Sequence, residues 1–282
     1  PFNLAEDFML RATLIQLGTH EYSLVIVMHH IASDGWSTGI ILRELVDLYR
    51  NFEQEHIDDL PILPIQYADF SIWQRKYLTG EILDKKLSYW KAKLANPQVL
   101  EMITDFPRPA VQSTRGNIIH FKTDKLLTDQ LNEISREYGV TLFMTMLASF
   151  KVLLYRYTRQ QDICIGTPIA GRQQKEVEEL VGFFVNTIAI RSYVSGDQNF
   201  KAFLQQIRST TLEAYDHQEV PFEKVVDAVV ASRDLSRTPL FQVMFSQQNT
   251  ARLSELVLGD LKLQVDPVEQ FTTKFDLTIN MN

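Results

Sequence analysis

The chain has 282 residues, 45% of them hydrophobic and 22% charged, an ordinary globular balance with length for one large domain or two lobes. Its formal net charge is −7 and its 28 Lys and Arg are scattered, which argues against a nucleic-acid binder needing a basic face. One cysteine excludes an internal disulfide and suits a reducing cytosol, so the expected location is cytoplasmic and no membrane is expected.

Nothing at the start has the pattern of a signal peptide, and Pro1 to Leu10 reads as the interior of a longer polypeptide. Residues 22–30, YSLVIVMHH, predict a short buried strand, and the run Leu24 to Met28 is far too short to span a bilayer. Trp36 to about Glu55 predicts a helix with Ile41, Leu45, Leu48 and Phe52 on one face. After Pro61 and Pro64 an amphipathic helix follows. Its Tyr67, Phe70 and Trp73 fall at helical spacing and read as core packing. A second helix covers Ile82–Leu94. Residues 96–116 carry three prolines and no period, and mark the boundary between lobes.

Beyond the boundary the pattern predicts a strand over Asn117–Lys122 and a helix opening at Thr123 or Asp124. An apolar helix from Thr141 to Tyr157 is expected to lie buried between layers. Strands over 162–169 and 184–193, helices over about 199–216 and 221–231, and strands near 240–248, 261–265 and 275–281 complete the order. Cys164, in DICIG, reads as a buried, inert thiol. Asp34, Pro221 and His217 all sit at predicted helix ends, where capping is their ordinary role.

The stretch VIVMHHIASDGWST, residues 25–38, is the place for chemistry. Adjacent residues on a strand point to opposite faces, so His29 and His30 cannot both reach one small substrate or one metal. Zinc would also want His at helical spacing or Cys partners, and no metal is expected. His30 falls where the strand gives way to a loop, a common position for reactive groups, and an imidazole handles protons near neutrality. Asp34 reads either as a helix N-cap, shared with Ser33 or Ser37, or as a fixed carboxylate paired with an arginine. Gly35 fits a loop needing positive φ or close backbone approach.

MHHIASDGWS (28–37) resembles the His-His-x-x-x-Asp-Gly signature of chloramphenicol acetyltransferase-like acyltransferases, and more narrowly the condensation domain of nonribosomal peptide synthetases. Four further blocks follow in that family's order: YADFSIW (67–73), VGFFVNTIAIR (181–191), HQEVPFE (217–223) and RDLSRTPLFQVMF (233–245). Glu219 stands where Asp is usual, and Thr238 where Asn is common. The family's opening blocks would lie before Pro1, and its last strands and helices after KFDLTINMN, so the resemblance implies the central part of such a domain.

The resemblance implies an α/β, two-lobed chloramphenicol acetyltransferase-like fold, each lobe a mixed sheet flanked by helices, incomplete at both ends. Residues 1–105 would form part of the N-terminal lobe with the histidine loop, and 106–282 most of the C-terminal lobe. The implied reaction joins an acyl or peptidyl thioester on an upstream peptidyl carrier protein to an aminoacyl thioester on a downstream one, making an amide. The phosphopantetheine arms arrive on those carriers, and the domain itself binds no cofactor. An adenylation domain would be adjacent in the same polypeptide. His30 would act as general base, or orient the amine and stabilise charge. His29 would support the loop, and Asp34 and Gly35 complete the motif. Arg172, in AGR, is the expected partner of Asp34 from the other lobe and is also expected at the substrate channel. Asn186 is expected to line the substrate channel or to be satisfied within its own strand, and Trp36 to line the channel. Alternatives are an epimerization domain, which shares the loop, and a catalytically silent condensation-like module that recruits a partner.

Overall fold

The computed structural model describes residues 1–53, 60–232, 234–247, 257–258, 261–262, 264 and 271–282. In chain order the elements are β1 (Leu10–Gly18), β2 (Glu21–Met28), α1 (Gly35–Glu53), α2 (Tyr67–Tyr77), α3 (Gly80–Lys93), α4 (Lys125–Glu137), α5 (Leu142–Thr158), β3 (Asp162–Ile169), β4 (Asn186–Tyr193), α6 (Phe200–Asp216), α7 (Phe222–Val229), β5 (Val243–Gln247), β6 (Val257–Leu258), β7 (Leu261–Lys262) and β8 (Leu277–Met281). Contacts divide the chain into two compact units. One holds Pro1–Tyr77, Ala170–Val185 and Asn249–Asp266; the other holds Leu78–Ile169, Asn186–Gln248 and Pro267–Asn282. The expected boundary at residue 105 falls inside the second unit. Residues 170–185, expected in the C-terminal lobe, fall in the first. Among the described residues no single helix is long and apolar enough to cross a membrane.

In the first unit β1 and β2 form an antiparallel hairpin, Leu10 opposite Met28 and Leu14 opposite Leu24. Strand β1 carries no strong alternation and sequence reasoning missed it. The buried strand expected over 22–30 is corrected on two points. It ends at Met28, and most of it is exposed. A two-stranded ladder has two open faces. Leu10, Leu14, Tyr22 and Leu24 lie exposed on one face, and Ile15, Val25 and Val27 on the other. Apolar composition reports what a strand can bury, not whether anything covers it.

The second unit is built on a mixed sheet of order β4-β3-β5-β8. Strands β3 and β4 pair antiparallel, and β3–β5 and β5–β8 pair parallel. Helix α5, N-capped by Thr141, buries Phe143, Met144, Leu147, Ala148, Phe150 and Leu154, as its apolar pattern predicts. The strand expected over Asn117–Lys122 is corrected: no ladder forms there, and Ile119 and Phe121 stand exposed. A β-prone run becomes a strand only beside another backbone, and among the described residues it has none. Arg233, and the strand positions expected at 248, 263 and 265, lie outside the described residues.

Two buried titratable groups meet between α5 and the sheet. Burial pushes the Cys164 thiol up to about 11, which makes it inert as expected. Lys151 is wholly buried, and its Nζ donates to Ile163 O at 3.1 Å and Ile190 O at 2.6 Å, with Ser192 Oγ at 3.0 Å. Burial pushes Lys151 down to about 7, against the opposing pull of Cys164 and Asp162. Both forms are satisfied there. The ammonium donates to three oxygens, and the neutral amine donates to the two carbonyls while the Ser192 hydroxyl turns to donate to it.

Between about pH 7 and the ordinary lysine value of 10.5 the unfolded chain keeps a proton that the folded chain releases. Stability therefore rises with pH in that window, by up to about 1.4 kcal/mol per pH unit. Denaturant titrations at pH 7 and pH 8, below the ordinary thiol value of 9.0 at which unfolded Cys164 begins to oppose the trend, should show the rise, and Lys151→Met should flatten it. The open hairpin yields a second expectation. Residues 1–282 on their own should self-associate, because apolar patches of this kind seek partners. Size-exclusion chromatography should show species larger than a monomer, and Leu14→Thr with Val25→Thr, which relieves both faces, should shift them toward the monomer.

Candidate functional site

The loop from His29 to Asp34 joins β2 to α1, and polar contacts set its shape. Asp34 is the N-cap of α1: Oδ1 accepts from the Ser37 backbone N–H at 2.8 Å, three residues on. The Ser37 hydroxyl lies 2.8 Å from the same Oδ1 and 2.9 Å from Gly182 O, its one proton serving one of them at a time. That oxygen accepts in turn from Gly182 N–H at 3.1 Å. Asp34 Oδ2 accepts from Phe184 N–H at 3.0 Å.

Arg172 completes the network. Its Nη2 lies 3.2 Å from Asp34 Oδ1 and 2.9 Å from Ser37 Oγ. Its Nη1 donates to Val177 O at 2.5 Å and Leu180 O at 2.6 Å. The guanidinium lies 4.1 Å from the centroid of the Phe184 ring, a cation–π contact. The side chains are 1% exposed for Arg172 and 4% for Asp34, so the pair is desolvated. Burial raises the Asp34 carboxyl, but the bonds from Ser37 and Phe184 and the charge of Arg172 win and hold it below the usual range. Asp34 thus fills both roles read from the sequence, N-cap and arginine partner.

Two close approaches allow this. Gly171 has φ +68°, and a Cβ there would stand 2.0 Å from Phe184 O, so the turn delivering Arg172 requires glycine. A Cβ on Gly182 would meet the Tyr67 ring at 2.2 Å. Gly35 differs from expectation: its φ is not positive and a Cβ would meet nothing within 4 Å. Neither reason offered for that glycine holds.

The adjacent histidines carry opposite tautomers. The nitrogen Nδ1 of His29 accepts from Ile31 N–H at 3.1 Å, so its proton is on Nε2; the ring meets Phe2 edge-on. The nitrogen Nδ1 of His30 lies 2.6 Å from Ser33 O. A carbonyl only accepts, so His30 Nδ1 carries a proton, and in the neutral ring Nε2 holds the lone pair. The His30 imidazole is exposed and meets the Phe183 ring edge-on, centroids 5.1 Å apart.

Trp36 is half-exposed, with Nε1 donating to Glu178 O at 2.9 Å. The aromatic helix face is only partly core. Tyr67 and Phe70 pack against Val177, Leu180 and Phe184, but Trp73 is exposed and stacks on Tyr77. Asn186 belongs to the second unit. Its Nδ2 donates to Gln218 O and Val220 O, both at 2.8 Å, and its Oδ1 accepts from Thr187 N–H at 2.8 Å and Phe222 N–H at 3.0 Å. It therefore caps α7, where Pro221 stands at the N-cap position and offers no side-chain acceptor. His217 is the C-cap of α6. Among the described residues no three His, Cys, Asp or Glu side chains could hold a metal ion. The residues that sequence reasoning missed are Phe183, the Tyr67 hydroxyl and the backbone of 182–184. Their only signals were the VGFFVNT block and, for Tyr67, the YADFSIW block.

A family model described as "Condensation domain" matches residues 1–282. The chain is 48% identical over 284 residues to a linear gramicidin synthase of Brevibacillus parabrevis, covering all of this chain and 6% of that protein. Among solved structures, it matches the X-domain from teicoplanin biosynthesis with a TM-score of 0.88 and 26% identity, over 98% of this chain and 63% of that one. It matches a four-domain nonribosomal peptide synthetase bound to AMP and glycine with a TM-score of 0.87 and 29% identity, over 99% of this chain and 22% of that one.

Because Asp34 is a desolvated anion satisfied on every side, Asp34→Asn should destabilise the fold by about 3–5 kcal/mol, since it leaves Arg172 charged and unpaired. Ser37→Ala should cost about 1–3 kcal/mol, the loss of one buried hydroxyl's bonds. Denaturant unfolding of both variants measures the difference. An inactive Asp34→Asn variant of unchanged stability would assign the carboxylate to the chemistry instead.

Proposed function

The chain belongs to the condensation-domain family of nonribosomal peptide synthetases, and on that premise we propose that it forms an amide between two carrier-bound thioesters. The upstream carrier presents an acyl or peptidyl thioester, and the downstream carrier an aminoacyl thioester. The observation that carries this reading is the hydrogen bond of His30: with Nδ1–H on the Ser33 carbonyl, Nε2 is the ring nitrogen left to exchange a proton, on an exposed residue.

The steps balance without a cofactor of the domain's own. The acceptor amine nitrogen bonds to the thioester carbonyl carbon, and the C–S bond breaks. The proton the amine loses goes to His30 Nε2 and from there to the departing thiolate. Nδ1–H stays on Ser33 throughout, so imidazole and imidazolium keep one orientation. The phosphopantetheine arms are substrate here. Holding both thioesters in one site supplies proximity, which can be worth ~7–11 kcal/mol of the barrier.

In the full-length protein with both carriers loaded, His30→Ala should lower amide formation by about 10²–10⁴-fold with little change in melting temperature. His29→Ala, which removes the acceptor for Ile31 N–H, should lower the melting temperature instead. Amide formation at the wild-type rate by His30→Ala removes His30 from the chemistry. Inversion at Cα with a single loaded carrier, dependent on His30, would assign epimerization. No reaction of the wild type with either arrangement would leave recruitment of a partner.

A further inference from the structure

We propose that Phe183 is a positioning residue for His30, and that it transmits the geometry of the buried Asp34–Arg172 network to the reactive imidazole. The inference rests on His30 being the reacting group.

One hydrogen bond does not fix an imidazole. With only Nδ1 tied to Ser33 O, the His30 ring can swing about the Nδ1···O direction, and Nε2 would sweep an arc. The second contact is the Phe183 ring, whose centroid is 5.1 Å away with the planes at 89°. Edge-on packing of this kind is a preferred aromatic geometry. It opposes the swing and leaves Nε2 on one bearing.

Phe183 can set a bearing only if it is itself held, and the chain holds it at three successive residues. Gly182 N–H donates to Ser37 Oγ at 3.1 Å, Phe183 O accepts from the Tyr67 hydroxyl at 2.9 Å, and Phe184 N–H donates to Asp34 Oδ2 at 3.0 Å. The flanking Gly182 and Phe184 are packed, the first against the Tyr67 ring and the second in a buried cluster with Val177 and Leu180. Phe183 alone turns its side chain outward, 40% exposed, toward the imidazole. A ring on a backbone fixed on both sides and aimed at the reactive group does what a packing residue in this turn would not need to do. The path is continuous: Arg172 holds Asp34 and Ser37, these hold 182 and 184, and Phe183 between them holds His30.

The test uses three variants of the full-length protein: Phe183→Leu, which keeps apolar bulk but loses the ring, Phe183→Tyr, which keeps the ring, and Tyr67→Phe, which frees the Phe183 carbonyl. Nitrogen-15 NMR of the His30 side chain reads the tautomer and ring environment without needing turnover. The expected result is a shifted His30 Nε2 resonance in Phe183→Leu, a kcat lowered by about 10–100-fold with KM within about twofold, and rescue of both by Phe183→Tyr. Tyr67→Phe should fall between Phe183→Leu and wild type. An unchanged His30 spectrum in Phe183→Leu overturns the proposal, as does a loss of kcat that Phe183→Tyr fails to rescue. A shifted spectrum in a protein whose wild type shows no amide formation sustains the positioning role and removes the amide-forming reading instead.

Discussion

The constraint on which the histidine loop depends is the ion pair between Asp34 and Arg172. Taking two charges out of water costs several kcal/mol each, and their attraction offsets this only when the remaining donors and acceptors are also filled. Here most of them are filled, largely by backbone: Ser37 and Phe184 give N–H groups to Asp34, and Val177 and Leu180 give carbonyls to Arg172, whose Nε is buried without a partner among the described residues. A pair of leucines could hold the same two segments together at less electrostatic cost. It could not fix their direction, because apolar contacts carry no angle. The pair is better understood as a device of geometry than as a source of stability.

That view explains why residues 170–185 belong with the first unit although they lie about 140 positions from the histidine loop in sequence. Besides the ion pair, Trp36 reaches Glu178 O, and Arg43 pairs with Glu179 at 2.6 Å. The exposed Arg43 pair contributes little by itself. The buried contacts set the alignment, and the surface ones follow from it.

Much of this was legible in the sequence, and the failures have physical causes. Helix ends were read well because capping is local: Asp124, Thr141 and Asn199 each accept from a backbone N–H three residues on, a signature carried by a short window. The motif resemblance implies an arginine partner for Asp34 but does not single out Arg172, since AGR lies in none of the matching blocks and nothing in either local window joins residues so far apart. Burial of β2 and the ladder over 117–122 were misread because both depend on what lies beside a strand, which periodicity does not encode. Asn186 shows the same limit from another side. Its four hydrogen bonds go to residues 187, 218, 220 and 222, and an isolated FVNT gives no hint that the asparagine caps a helix more than thirty residues away.

The adjacent histidines, with an aspartate four residues beyond, invite comparison with a relay in which a carboxylate orients a catalytic imidazole. The geometry argues against it. Both oxygens of Asp34 are taken by Ser37, Arg172 and Phe184, and the proton of His30 Nδ1 goes to a neutral carbonyl. A carboxylate in that position would stabilise the imidazolium and hold on to the proton. A carbonyl fixes the tautomer while lending the cation less, which suits the proposed role of Nε2 in taking a proton from an amine and releasing it to a thiolate. The negative charge is therefore held away from the imidazole by its own arginine. It shapes the loop through Ser37 and residues 182–184, and its hydrogen bonds go to Ser37, Arg172 and Phe184 rather than to a histidine.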